Sequence, residues 1–405
     1  MYSKTIMNAN NRDIGITASC LSLYFAMMPF DILPLLGLKY LLQGLALFTI
    51  FSVINHCAHT GLTIKKTGLY VVVFLLYSCL TVCYSINLNK STSAIVTLTL
   101  NLLLVLVAGG CYKYNDKEIS RIKKGIIIGT FITFIVLYFN VDFSSAGRLN
   151  VKLGYFESDS NLIPGYFFFL LVYSIQQLIN HKKVLYSIPI IGVLVISLMT
   201  GSRGAMIGIL LLIGFSVLYL VKQKLSIRKV ITMTLLILVF VWIFNAFIID
   251  LIPREITNRY TIDYIRDSGS TGRNDIWENL LGVFGQSSIL RELFGHGIGT
   301  TTDLTTATVG SVSGGYAAHN LWIDQLMTGG IVGIIILVIM QIRFIKRALK
   351  SREITVIAPY LGCLFLCMSL SLISYKPMWN CMILIMIYEN RLYANNCAMS
   401  QEVYK

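Results

Sequence analysis

The chain has 405 residues, of which 56% are hydrophobic and only 13% charged, with a net charge of +14 and a mean hydropathy of +0.72. A water-soluble fold of this size could not hide that much apolar surface, so a soluble enzyme is excluded, and so are a disordered or collagen-like chain. The nine cysteines fall mostly inside apolar runs, which excludes a disulfide-stapled secreted domain.

Apolar runs of about 16 to 20 residues, long enough as helices for a hydrocarbon core about 30 Å thick, recur along the chain. They predict spans near 14–30, 38–55, 68–85, 93–110, 125–140, 162–180, 185–199, 205–221, 230–249, 326–342, 355–373 and 377–390. The runs are continuously apolar, whereas strands of a transmembrane barrel would alternate over about ten residues. The expected fold is an all-α integral membrane protein of about twelve transmembrane helices. It divides into a nine-span region at 1–249, a large loop at 250–325, and three spans with a tail at 326–405, together one membrane domain.

Charge sets the expected orientation. With the N-terminus inside, 22 of the 33 basic residues and 6 of the 19 acids fall on the inner side, the bias the positive-inside rule demands. Both termini are then cytoplasmic and 250–325 is external. The positive balance is topological, so nucleic acid is not an expected partner. The first apolar run is long and no small-residue cleavage site follows it before the next span, so a cleaved signal peptide is not expected. No internal repeat is visible, which weighs against transporter folds built from paired halves.

In chain order, the first polar cluster is Glu157-Ser-Asp159-Ser-Asn161. Two carboxylates two residues apart can hold a divalent ion, but such pairs are common and metal is not the expected ligand. His56-Cys57-x-His59 supplies only three candidate ligands, and the pairs Cys79/Cys83 and Cys363/Cys367 read as small packing residues. Arg203, in Thr-Gly-Ser-Arg-Gly-Ala between two spans, sits on the outer side against the charge trend. A boundary arginine marks a site for an anion such as a lipid phosphate, or else snorkels to headgroups.

The 76-residue loop at 250–325 is too long for a hairpin. It carries Arg254, Arg259, Arg266, Arg273 and Arg291 and no lysine. Lysine would serve topology equally well, whereas the planar arginine fork holds phosphate bidentately, so the bias favours a phosphate ligand. Pairing with the loop's nine acids is the alternative. Ser270 or Thr271 can cap a helix with Ile276, Leu280 and Phe284 on one face and Trp277 and Leu281 beside it. Arg273 in its first turn is poorly matched to the helix dipole unless an anion is near, although an interface helix would account for the aromatics too. Gly295-His-Gly-Ile-Gly299 follows no predicted strand and reads as a turn with a loop histidine. His319, in Ala-Ala-His-Asn-Leu-Trp where the loop returns to the membrane, can accept a proton from a sugar hydroxyl or cap the next helix.

The order of these features carries a resemblance. Arg203 in Ser-Arg-Gly, a long outer loop with Arg273 and then Trp277, Gly-x-Gly at 295–297, and His319-Asn320 before Thr-Gly-Gly-Ile-Val-Gly together resemble the O-antigen polymerase and ligase superfamily. The likeness covers about residues 155–340, and Asp159-Ser-Asn161 is similar to the family's Asp-Pro-Asn with Ser160 in place of proline. It implies a GT-C-like helical fold with a partly helical periplasmic loop, in the bacterial inner membrane, and a membrane glycosyltransferase whose donor is a glycan on undecaprenyl diphosphate.

Under that resemblance Arg203 and Arg273 bind diphosphate and His319 is the base or orienting group. Arg254, Arg259, Arg266, Arg291, Asp159, Asn161 and Asn320 are the expected substrate-binding residues. No metal or cofactor is expected, because a diphosphate on an anomeric carbon already leaves well and needs only positive charge and a base. Direct displacement would invert the anomeric centre. Membrane lipid and a chain-length regulator are the further implied partners. Likeness to divergent polymerases rich in Ile, Asn and Lys favours the polymerase. The alternatives are the ligase, which transfers the glycan to lipid A core, and, from another class, a lipid-glycan flippase or transporter. The last would need polar groups within the spans.

Overall fold

In hydrocarbon every backbone amide must be satisfied within the chain, which favours helices wherever the sequence is apolar. The computed structural model describes residues 15–31, 38–61, 65–143, 148–153, 156–157, 159–223, 254–261, 273–309, 316–370 and 375–403. Its helices are α1 (Ile16–Met27), α2 (Leu38–Thr60), α3 (Lys66–Cys83), α4 (Leu88–Leu103, continued by a π-helical segment Leu104–Cys111) and α5 (Asp116–Asn140). After a small sheet come α6 (Phe168–His181), α7 (Ser187–Met199) and α8 (Arg203–Gln223). Four shorter helices follow: α9 (Arg254–Asn258), α10 (Arg273–Gly285), α11 (Ile289–Phe294) and α12 (Thr301–Val309). The chain then returns through α13 (Leu321–Ser351), α14 (Ile354–Leu366) and α15 (Lys376–Val403).

Seven helical stretches are long and apolar enough to cross a membrane: Tyr40–His59, Lys66–Cys83, Leu88–Cys111, Asp116–Phe139, Ile163–His181, Arg203–Leu220 and Leu321–Ser351. Ile16–Met27, Val184–Met199 and Ile354–Leu366 are apolar but shorter. With α15, helices stand at eleven of the twelve expected spans; the remaining one, 230–249, lies outside the described residues.

Local sequence explains where helices begin. Asn115 and Glu118 form a reciprocal cap at the start of α5: Glu118 N donates to Asn115 Oδ1 (2.9 Å) and Asn115 N to Glu118 Oε2 (2.9 Å). The other oxygen of Glu118 accepts from Gly15 N (3.1 Å) and Tyr112 Oη (3.0 Å), tying the start of α1 to the start of α5.

Two departures from expectation matter. Residues 141–161, expected within an all-α fold, contribute a three-stranded antiparallel sheet of β1 (Val141–Phe143), β2 (Leu149–Leu153) and β3 (Phe156–Glu157), with Val141 opposite Val151 and Lys152 opposite Glu157. Leu-Asn-Val-Lys-Leu alternates with period two, the strand signature, in a segment too short to stand out among long apolar runs. The tenth span, expected at 326–342, is α13, which starts and ends well outside those bounds and breaks at Gly330 (φ +64°). That residue lies against the 293–295 backbone: a Cβ there would stand 2.6 Å from Gly295 N, so only glycine fits.

The core centres on α15. From Met378 to Asn390 every residue is buried, and Trp379 is among the largest fully buried side chains together with Phe344 of α13 and Tyr360 of α14. By contrast α2 and α8 present Phe48, Phe51, Leu210 and Leu211 outward, as helices facing lipid do.

Candidate active site

The chain reverses direction from helix to helix, so the ends of α5 and α7 and the starts of α8 and α13 gather at one end of the bundle. The turn between α7 and α8 is the floor of the site there. Gly201 takes φ +61°, and a Cβ on it would lie 3.2 Å from Arg259 Cδ and 3.3 Å from Arg148 Cγ. Two arginine side chains therefore cross the bare face of this glycine. Arg148 donates from Nε to the Thr200 carbonyl (2.9 Å) and from Nη2 to Asn161 Oδ1 (3.0 Å). Tyr260, beside Arg259, donates to the Leu198 carbonyl (3.2 Å). Arg203 opens α8 immediately after the turn.

Asn161 is held in turn by Asp159, whose Oδ1 accepts from Asn161 N (2.9 Å) and Nδ2 (2.8 Å). This carboxylate acts on three neighbours: it favours the charged forms of Arg148, Arg273 and His319. Arg273, the first residue of α10, is pushed below its ordinary pKa by burial, then by Arg203 and Arg259, with Asp159 opposing. Burial likewise lowers Arg148, and Arg259 and Arg273 add to the effect. Burial pushes the Tyr260 hydroxyl up, although Arg148, Arg259 and Arg203 pull it down. Arg148, Arg203, Arg259 and Arg273 thus share a small region, with Asp159 acting on Arg148 and Arg273. Guanidinium forks gathered in this way suit a polyanion.

His319 stands at the rim, where the loop re-enters the bundle. Its backbone is left-handed (φ +45°), unusual for a residue with a side chain, and its neighbours hold it there. Trp277 Nε1 of α10 donates to the Ala318 carbonyl (2.8 Å), Asn320 Oδ1 accepts from Trp322 N (2.9 Å) and Ile323 N (3.2 Å), and Leu321 N donates to the Cys367 carbonyl (2.8 Å). Burial lowers the imidazole below its ordinary pKa; Asp159 raises it and Arg273 lowers it further. The balance favours the neutral ring, the form able to accept a proton.

The loop builds a small core of its own beneath these residues: Leu280, Leu304, Ala318 and Met327 are buried, with Ile276, Val283, Phe284 and Ile323 packed around them. The apolar face expected of α10 is this surface, and Leu281 points away from it, 47% exposed. Ser270 and Thr271, its expected caps, lie outside the described residues.

Of the expected site residues, Arg203, Arg259, Arg273, Asp159, Asn161 and His319 come together. Asn320 serves as the N-cap of α13. Arg291 donates to the Tyr84 (2.8 Å) and Gly295 (3.3 Å) carbonyls and lies over the Tyr84 ring, stapling the loop to the end of α3. Arg254 is exposed at the start of α9, and Arg266 lies outside the described residues. His296 is buried, its ring between the Met327 carbonyl (3.1 Å) and Ser287 Oγ (3.2 Å), the loop histidine its sequence suggested. Arg148 and Tyr260 are the members sequence reasoning missed. Arg148 carried the same signal as Arg203, an arginine on the side where positive charge is scarce. Among the described residues no group of three or more His, Cys, Asp or Glu is placed to hold a metal ion.

A search of the curated proteins gives no match to the chain. Residues 188–338 match a family model described as O-antigen ligase. Arg203, Arg259, Arg273 and His319 fall inside that stretch, whereas Arg148, Asp159 and Asn161 precede it. Over those residues, somewhat more than a third of the chain, the sequence is thus similar to the O-antigen ligase family.

Proposed function

We propose that the protein is an O-antigen polymerase that moves a glycan chain from undecaprenyl diphosphate to a sugar hydroxyl of a lipid-linked repeat unit. The observation that carries this reading is the gathering of Arg203, Arg259 and Arg273 around Asp159 with the neutral His319 at their rim. The arginines hold the donor's diphosphate. His319 takes the proton of the attacking hydroxyl as its oxygen bonds to the anomeric carbon. The carbon–oxygen bond to the diphosphate breaks, its electron pair stays on phosphate, and the configuration inverts. Fixed positive charge near the departing group contributes more in a site shielded from water than it would in solution.

The reading places the site on the periplasmic face of the inner membrane, both termini in the cytoplasm, and a chain-length regulator among the partners. Ser288, exposed at the start of α11, tests the orientation: Ser288→Cys should react with an impermeant thiol reagent in intact spheroplasts. Labelling only after the membrane is opened would reverse the topology.

Purified protein given lipid-linked repeats alone should yield lipid-linked polymer. The family model's description favours a second reading, the ligase, which shares every residue of the site and would give product only when lipid A core is supplied. EDTA should leave transfer intact. Inhibition reversed by a divalent ion would instead assign the electrostatic role to a metal at Glu157 and Asp159.

A further inference from the structure

Helices α10 and α11 follow one another in the same loop and expose opposite chemistry. The residues that α10 turns to its surroundings are mainly polar: Asn274, Asp275, Glu278 and Asn279, beside Leu281. On α11 they are apolar, with Ile289 74% exposed, Leu290 69% and Phe294 40%. Leu290 and Phe294 stand one turn apart on the same face, with Ile289 next to them. The arginine of α11 points the other way, half-buried and donating to the Tyr84 and Gly295 carbonyls. A surface helix in water exposes its charge and hides its apolar stripe; α11 does the reverse, as a helix lying against lipid does.

The spans fix its depth. The Phe294 carbonyl accepts from Tyr84 Oη (2.7 Å), where α3 ends. The residues that follow are woven into the turn between α3 and α4: Ile86 N donates to the His296 carbonyl (3.0 Å) and Ile298 N to Thr81 Oγ1 (3.2 Å). On the other side, a Cβ on Gly330 of α13 would collide with the Leu293 carbonyl. Immediately after Gly330, α13 begins the exposed apolar stripe Ile331, Ile335 and Ile339, and in its last two turns α3 exposes Leu76 and Leu80. The level of α11 is therefore the level at which the lipid-facing surfaces of these two spans begin, with Tyr84 at the membrane–water boundary where tyrosines collect.

We infer that α11 is an interfacial helix whose Ile289, Leu290 and Phe294 enter the bilayer leaflet on the side of the site, so that lipid is the partner of this face. Sequence alone allowed α10 the part of interface helix, but the polar surface of α10 suits water. Arg273 opens α10 and His319 lies where the loop re-enters the bundle, so the contact of α11 with lipid holds the loop that carries both residues at the depth of lipid headgroups.

The test uses the full-length protein in nanodiscs of dioleoyl phosphatidylglycerol, with photoreactive benzoylphenylalanine replacing Leu290, Glu278 of α10 or Ile335 of α13. All three side chains are exposed, so none of the replacements disturbs packing. Irradiation should add the mass of one phospholipid to the peptide that contains position 290, as at position 335, and none at position 278. A second readout is fluorescence: the emission that Leu290→Trp adds to the wild-type background should be lost when the lipid chains are brominated, and that of Glu278→Trp should persist. A position-290 label free of lipid beside a lipid-bearing one at 335 would put α11 in water. A cross-link from position 290 to a second copy of the chain would give the face to a dimer, and lipid taken equally at 278 would remove the distinction between the two helices; each overturns the assignment. Where cross-linking yields are low at every position, quenching by the brominated lipid decides between lipid and water.

Discussion

Where α5 starts, charge is cancelled pair by pair; where it ends, charge is gathered. At the first end Lys123 meets Glu353 (3.3 Å), Arg347 meets Glu389 (2.8 Å) with side chains only 11% and 1% exposed, and Glu118 is fully engaged as a cap. At the second, Arg148, Arg203, Arg259 and Arg273 lie close together, with Asp159 acting on Arg148 and Arg273. Other acids take cations of their own. Asp303 pairs with Lys90 (2.6 Å), and Asp31 takes Lys376 and Tyr166. Paired buried ions are what stability tolerates, whereas like charges brought close together cost desolvation and repulsion and are more often found at sites for ligands.

The contrast can be broken at several points, beginning with the largest effect. His319→Ala should lower transfer by about 10²- to 10⁴-fold, the range of general base catalysis, while donor binding measured separately changes little. A parallel collapse of donor binding would make His319 a ligand-holding residue. Arg273→Lys and Arg203→Lys should each cost about 100-fold in kcat/KM, close to the alanine variants, because a point charge cannot replace a bidentate contact. Near-normal chain lengths from well-expressed lysine variants would reduce these arginines to topology.

At the opposite end the signature should invert. Glu389→Gln removes the carboxylate paired with Arg347 and should destabilise the protein by about 3 kcal/mol in detergent unfolding without altering donor affinity. A smaller effect concerns pH. Transfer needs the neutral imidazole, so it should be lost as pH falls through the His319 pKa. Asp159 raises that value, and Arg273 lowers it. Asp159→Asn should therefore move the acid limb of kcat/KM to lower pH, and Arg273→Gln should move it to higher pH; the reverse order would remove His319 from the titration. The smallest effect is expected from Trp277→Phe, which forfeits one hydrogen bond to the Ala318 carbonyl, about 1 kcal/mol, and should slow transfer by roughly fivefold without lowering donor affinity.

How much of this was legible follows from the range of each interaction. Apolar runs located the helices because burial in lipid acts on every residue of a span. The arginine bias and the order from Arg203 to His319 singled out residues of which the fold brings Arg203, Arg259, Arg273 and His319 into one region. Arg291 and Asn320 were read as ligands, since nothing in the sequence says that the Tyr84 carbonyl or the start of α13 would claim them. Arg148 escaped although it shares the signal of Arg203, an arginine on the side poor in positive charge, because only the fold brings Thr200, Asn161 and Gly201 to it. The break in α13 was equally hidden, because Thr-Gly-Gly within an apolar run does not reveal that a distant carbonyl presses on Gly330.

The burial of α15 has a bearing on biogenesis. This helix follows the other described spans in the chain, yet they pack around it, so the ribosome delivers the surrounding helices before the post that they enclose. Until α15 arrives, the Gly109, Gly110 and Tyr112 carbonyls, which Asn390 Nδ2 later engages at 3.1, 2.8 and 3.3 Å, lack their donor. The segments against which α15 packs are thus made before the side chain that completes these hydrogen bonds, and the last turn of α4 takes its finished form only once residue 390 has joined it.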